Sequence, residues 1–534
     1  MRGTTRTSRI AAYVASGALV LSGTILAASP AEAVTYDPQP AAQAATWLEN
    51  QLTDGVVHNN QYDFDDIGLT ADVALALSAV PGHGATVTDI VDTIEPRAQA
   101  DWYTSTFEGV TTTYAGSLAK ALVLAQTAGS DPTSYGGVNL VTLLENHTAG
   151  GAPIAGRIEH ENDAFGDANV IGQAYAARGL AVAGSSEATA ATNFLLKQQC
   201  PNGGFRLDFT ASKTASDQSC TNNTSAQTDA TAIAVLQLAS QSGTSPVTDA
   251  IAKAKAWLTS QQRCDGSFGG GTSTEESNAN STGLVGWALG DSPTSRQAAG
   301  WLRKHQATAA DSGNSLASET GAIAYDNPGL AAGRSSGITD SSEDQWRRAT
   351  AQAAPGIRWF SSDPTPAVNL TGPTGYVKAG SRPELDASGA AAGTVLCTTG
   401  PGTSLRKVAG AAPVQFAVSV PAGSGTRVYT VRDPFGHAEA HALRALGAKT
   451  LTVAKSKSRV KRSGWVTARI VGLASQEAAK IYYKGNLVRT GKATTAGVFS
   501  ASFRVGRSLG LKRITGLGQF GDIRRGSTTV RVVR

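Results

Sequence analysis

Methionine is all but missing from this chain: Met1 is the single one among 534 residues. Charged residues supply 16% and hydrophobic ones 41%, too little charge and too much apolar surface for a disordered polyelectrolyte, so the chain folds. More than one core is required, since single cores rarely outgrow ~250–300 residues. After residue 28 no segment approaches the ~20 apolar residues of a membrane span. The four cysteines never fall in C-x-x-C spacing, which excludes the usual structural zinc arrangements. No G-x-S-x-G, P-loop or dinucleotide fingerprint occurs. Gly269-Gly270-Gly271 lacks the lysine and flanking strand of a phosphate cradle. No metal and no cofactor is expected.

What is present begins with an address. Arg2, Arg6 and Arg9 precede an uncharged apolar run, Ile10 to Ala28, and Ala31-Glu32-Ala33 offers the small-x-small pattern of signal cleavage. Residues 1–33 therefore read as a signal peptide, and the mature chain as secreted or cell-surface associated, with no membrane span left. The end, Thr528 to Arg534, has no hydrophobic tail or LPxTG-like signal, so any hold on the envelope is expected to be non-covalent. Export lets disulfides persist. Cys200 and Cys220 bracket a polar loop and are expected to bridge. Cys264 and Cys397 fall in different predicted domains and need not pair.

From 37 to 360 a weak repeat recurs about every 50 residues. Its clearest copies are Trp47-Leu48…Gln51, Phe194-Leu195…Gln198-Gln199, Trp257-Leu258…Gln261-Gln262 and Trp301-Leu302…Gln306. Two are followed by glycine turns, Asn202-Gly203-Gly204-Phe205 and Asp265-Gly266-Ser267-Phe268. After each turn comes a segment of small residues, such as Asp229 to Leu236 and Asn280 to Trp287. Alanine and glycine there allow close helix approach, as in an inner ring, with the aromatic helices outside it.

That pattern resembles the prenyltransferase and squalene-cyclase repeat, whose fold is an α/α toroid. The stretches at 198–205 and 261–268 match it best. The resemblance implies an (α/α)6 toroid over 37–360. It is similar as well to the rings of cobalamin carriers and complement thioester domains, but no GCGEQ thioester sequence occurs. The Asp, Cys and His of a prenyltransferase zinc site are not found either, because His160 and Cys264 fall in loops or turns. Inside the ring, Asp229, Tyr175 and Trp287 are candidate ligand contacts.

After Pro364-Thr365-Pro366 the texture changes to short β-prone runs between turns. These suggest two immunoglobulin-like sandwiches, at 365–447 and 448–534. From Lys449 onward, 19 Lys/Arg face only Glu477 and Asp522, or +17; the whole chain is +5, leaving −12 for residues 1–448. A domain so basic favours a polyanion. With export and no nucleic-acid reader motif, the expected partner is an anionic envelope polymer. Lys455, Lys457, Arg459, Lys461, Arg462, Arg524 and Arg525 are the candidate contacts.

Asp63-Phe64-Asp65-Asp66 resembles the D-x-D-D motif of class II terpene cyclases. The resemblance implies that Asp65, kept protonated by Asp63 and Asp66, would protonate an alkene; clustered like charges raise a pKa in this way. An aspartate ahead of a helix also serves as an N-cap. The acidic stretch Glu159-His160-Glu161-Asn162-Asp163, ending at Asp167, reads as paired carboxylates for glycan hydrolysis or calcium, or as a solvated loop. Two functions follow. One is a secreted, envelope-associated binding or scaffold protein with a small-molecule or protein ligand in the ring. The other is a terpene cyclase or prenyltransferase-type enzyme, which needs an aromatic, apolar ring interior to stabilise carbocations.

Overall fold

Small residues decide where the inner helices run. In the computed structural model, which describes residues 34–161, 168–243 and 245–534, helices alternate between two layers. Residues 1–33, expected from the sequence to be a signal peptide, lie outside the described residues. In chain order, α1 (Gln39–Glu49) is outside, α2 (Ile67–Ala79) inside, α3 (Gly84–Ile94) outside and α4 (Ala115–Ala128) inside. Next come α5 (Leu140–Asn146) outside, α6 (Val170–Val182) inside, α7 (Ala188–Lys197) outside and α8 (Thr228–Leu238) inside. After α9 (Ser245–Gln261) outside, α10 (Ala279–Leu289) inside and α11 (Pro293–His305) outside, a short α12 (Asn327–Ser336) leads to α13 (Asp340–Ile357). Helices α2, α4, α6, α8, α10 and α13 each pack on the next, and α13 returns to α2, closing an (α/α)6 toroid in which α1 backs α13. Backbones touch within the ring: a methyl group at Gly172 would stand 2.7 Å from the Cα of Gly116.

Two polar residues of the repeat hold it together. The hydroxyls of Thr70, Thr231, Thr282 and Thr350 accept the loop N–H groups of Val57, Phe205, Phe268 and Ile323 at 2.8–3.0 Å, pinning each loop to its inner helix. The glutamines join neighbouring pairs. Gln199 donates to Ala250 O (2.8 Å), Gln262 to Thr294 O (2.9 Å) and Gln306 to Pro40 O (2.8 Å). The last bond ties the final repeat to α1. Between them the chain turns at glycines such as Gly266 (φ +92°), where a Cβ would lie 2.6 Å from Gln297 O; both the dihedral and the space demand glycine.

The C-terminal half is β. A five-stranded sheet containing Val395–Gly400, Gly425–Arg432 and Ala438–Leu446 covers a three-stranded sheet around Leu385, Phe416, Tyr429 and Leu443. A second, immunoglobulin-like sandwich pairs a six-stranded sheet with a three-stranded one over Ile470, Ile481, Phe499, Ile514 and Val530. Tyr36 to Arg534 form one compact unit. Cys200–Cys220 is bridged. So is Cys264–Cys397, a pairing the sequence leaves open. The first sandwich sits against the ring beside Cys264. There Arg406 donates to Gln262 O (2.5 Å) and Thr259 O (3.1 Å), and Gln297 bonds Gly393 O and the Val395 N–H. Two disulfides fit an oxidising, extracellular setting. No helix among the described residues is long and apolar enough to cross a membrane.

Candidate functional site

Inner helices α2, α4, α6 and α8 carry one charged residue each, namely Asp72, Lys120, Arg178 and Asp229, and α10 carries none. A lone charge in a buried, small-residue helix must point at a partner or at the ring axis. Lys120 pairs with Asp72 across the α2–α4 contact at 2.5 Å and also donates to Gly68 O. Arg178 reaches both ring neighbours, donating to Thr127 Oγ1 on α4 and Gln237 Oε1 on α8, each at 3.2 Å. Tyr175, one turn earlier, feels the charge of Asp72 on α2, a helix that does not adjoin α6, so it faces the axis. It is enclosed on nearly all sides, which drives its hydroxyl pKa far up, yet part of its surface stays open, as in a narrow lumen. Lys120, Arg178 and Asp72 were not among the sequence candidates. Their signal was available: each is the single charge in a run of small residues.

The three aspartates of the D-x-D-D-like run do not converge. Asp63 is turned out (97% exposed side chain), with its carboxylate 3.3 Å from His58 Nε2. Asp65 bonds His58 Nδ1 (2.9 Å) and Arg97 Nη1 (2.8 Å). First His58 and then Arg97 hold its carboxyl below the ordinary range, opposite to what a proton donor requires. The acid expected at Asp65 is thus an ion-paired carboxylate, because its neighbours are cationic rather than acidic. Asp66 caps α2 through Leu69 N–H (2.8 Å), and its other oxygen takes Arg348 Nη2 at 2.5 Å.

Asp229 stands in the first turn of α8, where burial pushes its carboxyl up while the Ser281 hydroxyl pulls the other way. Tyr175 lies mid-helix on α6, and half-buried Trp287 near the end of α10. At 1.5 Å per residue, Asp229 and Trp287 differ in height by about 10 Å, so these three candidates do not form one contact set. In the acidic stretch, Glu159 pairs with Arg157 (2.6 Å) and with Lys213, Glu161 accepts from Thr113, and His160 Nδ1 accepts the Ala115 N–H at the start of α4. Asn162, Asp163 and Asp167 lie outside the described residues. Two hollows flank the loops. One of about 610 Å³ lies between Arg206, Asp208, Gln227, Gly271 and Glu275, and one of about 430 Å³ lies against Tyr103, Tyr135 and Glu161.

In the last sandwich the cations divide by strand alternation. Arg524 is corrected outright. Only 2% of its side chain is exposed, and it makes a two-pronged bond to buried Glu477, both arms 2.7 Å. Lys455 is half-buried against Thr529 O. Arg459, Lys461, Arg462, Arg525 and Lys457 are exposed. Register places Arg459 directly beside Arg531, and the same outer face carries Arg513 and Lys480. Like charges side by side on a sheet repel. The acids cannot relieve them, since Glu477 is internal and Asp522 is paired to Lys378.

No protein-family model matches the chain, and no curated protein matches it in sequence. Among solved structures it is similar to a type II terpene cyclase from Scytonema (14% identity, 60% of this chain, 97% of that one, TM-score 0.41). It is also similar to the unsaturated glucuronyl hydrolase of Bacillus sp. GL1 (12%, 61% and 100%, TM-score 0.40). The fibronectin(III)-like modules of Clostridium thermocellum CbhA match 31% of this chain and 92% of theirs, at 11% identity and TM-score 0.20. At such identity and overlap no activity passes from them to this chain.

Proposed function

We propose that this chain is an exported binding protein: its ring takes a polar ligand along the axis, and its terminal sandwich holds an anionic envelope polymer. One observation carries the first part. The inner helices carry Asp72–Lys120 and Arg178, Arg348–Asp66 joins α13 to the start of α2, and α2, α4 and α8 contain no aromatic residue. Carbocation chemistry needs the opposite, an apolar wall of rings that stabilises positive charge. A guanidinium and an ammonium on the axis would repel such an intermediate. The exposed row Arg459, Arg531, Arg513 and Lys480 supports the second part, because it lacks any carboxylate of its own sandwich to neutralise it. The test is direct. The full exported chain incubated with linear polyprenyl substrates is expected to yield no cyclised product. A cyclised product that disappears in Asp65→Asn would overturn this reading in favour of the cyclase.

A further inference from the structure

The charges of the ring axis do not all cancel. Asp72 answers Lys120. Arg348 is answered by Asp66 and Asp344. Arg178 has no carboxylate among the described residues: its two bonds, at 3.2 Å each, go to the neutral Thr127 and Gln237, and its buried Nε has no acceptor. Asp229 cannot serve. It lies eight residues before Gln237 on α8, about 12 Å away along the helix. A buried carboxyl without a partner can take up a proton; a guanidinium cannot lose one, so it remains a desolvated cation. The carbonyl ends of α4, α6 and α8 offset part of that charge, yet they give Nε no bond.

We infer that Arg178 and Tyr175 are an anion subsite within the ring axis, built for a carboxylate or phosphate group on the ligand. The inference rests on the proposed reading of the ring as a binding site. Tyr175 and Arg178 are three residues apart on α6 and share its axial face. Burial keeps the Tyr175 hydroxyl protonated and therefore a donor. The guanidinium holds only neutral partners through Nη1 and Nη2, and its planar fork suits recognition of a carboxylate or phosphate.

A structural role and a binding role give Arg178 opposite signatures. If it only braces α4 and α8, removing it destabilises the ring. If it is an uncompensated cation awaiting an anion, Arg178→Gln leaves the unliganded chain as stable or more stable, because a desolvation cost is removed. The experiment uses the full exported chain and follows thermal unfolding and binding by calorimetry with two probes, inorganic phosphate and succinate. The expected result is a rise in Tm with one probe, which also states whether phosphate or carboxylate is preferred. Arg178→Gln should weaken that probe roughly 10–100-fold, the range for a charged hydrogen-bonded contact. Tyr175→Phe should weaken it less, without loss of unliganded stability. No response to either probe, or a response unchanged in both variants, would overturn the subsite. A neutral molecule found seated in the ring would likewise overturn it while leaving the binding reading intact.

Discussion

Glu477 is the residue whose removal the last sandwich should tolerate least. It is fully buried, and its carboxylate takes both arms of Arg524 at 2.7 Å and the N–H groups of Ala474 (2.6 Å) and Gln519 (3.2 Å). Glu477→Ala leaves the Arg524 guanidinium buried with only Gly447 O and Gly472 O as acceptors. Breaking one half of a buried pair costs about 3–5 kcal/mol. A domain of this size has a total stability of roughly 4–13 kcal/mol, so the loss is a large share. Hydrogen exchange followed by mass spectrometry on the full chain resolves it. Strands Ala478–Tyr483 and Gly510–Leu517 should lose about two to three and a half orders of magnitude of protection, at one order per 1.4 kcal/mol, while ring helices stay as they were. Replacing both partners, as in Glu477→Met with Arg524→Leu, should restore most of it. Less than a tenfold loss in Glu477→Ala, or an equal loss in the ring, would refute the reasoning.

Three further outcomes follow from the same geometry. Cys397→Ser opens the bridge that closes a 133-residue loop between ring and sandwich; it should cost about 2–5 kcal/mol in denaturant unfolding, and reducing buffer, which opens Cys200–Cys220 as well, should cost wild type at least as much. Charge reversal of Lys480, Arg513 and Arg531 should weaken binding to a polyglycerol-phosphate polymer at least tenfold and flatten its salt dependence by roughly two to three contacts, with equal affinity across salt contradicting the surface. His305 is buried, stacked on Trp301 at 3.6 Å, and burial holds its pKa below 6.5. The unfolded chain therefore binds the proton first, so stability should be full above pH 6.5 and fall as pH drops below it. His305→Gln should remove that slope in thermal melts between pH 7 and 5.

The ring was legible because its repeat is made of residues with mechanical duties. Trp, Gln and the turn glycine recur since each repeat must bond to the next through Gln199, Gln262 or Gln306 and turn against the following outer helix. The bridge between Cys264 and Cys397 was not legible, because it depends on where a sandwich docks and not on local spacing. Arg524 and Arg525 look alike in sequence. Only strand alternation and a buried Glu477 from another strand send one inward and one outward. Asp63, Asp65 and Asp66 showed the opposite failure: their spacing matched a catalytic motif, while His58 just upstream and Arg97 and Arg348, distant in sequence, make them ion pairs. Asp72, Lys120 and Arg178 are each the single charge of their helix, but a linear chain does not show which helix face meets the axis.

Whether the ring binds a polar molecule is decided by native mass spectrometry of residues 34–534 after exposure to an extract of the producing cells. A retained polar adduct is expected, lost in Arg178→Gln while the ring stays folded. A retained isoprenoid, or a folded chain that keeps no adduct from the extract, would contradict it.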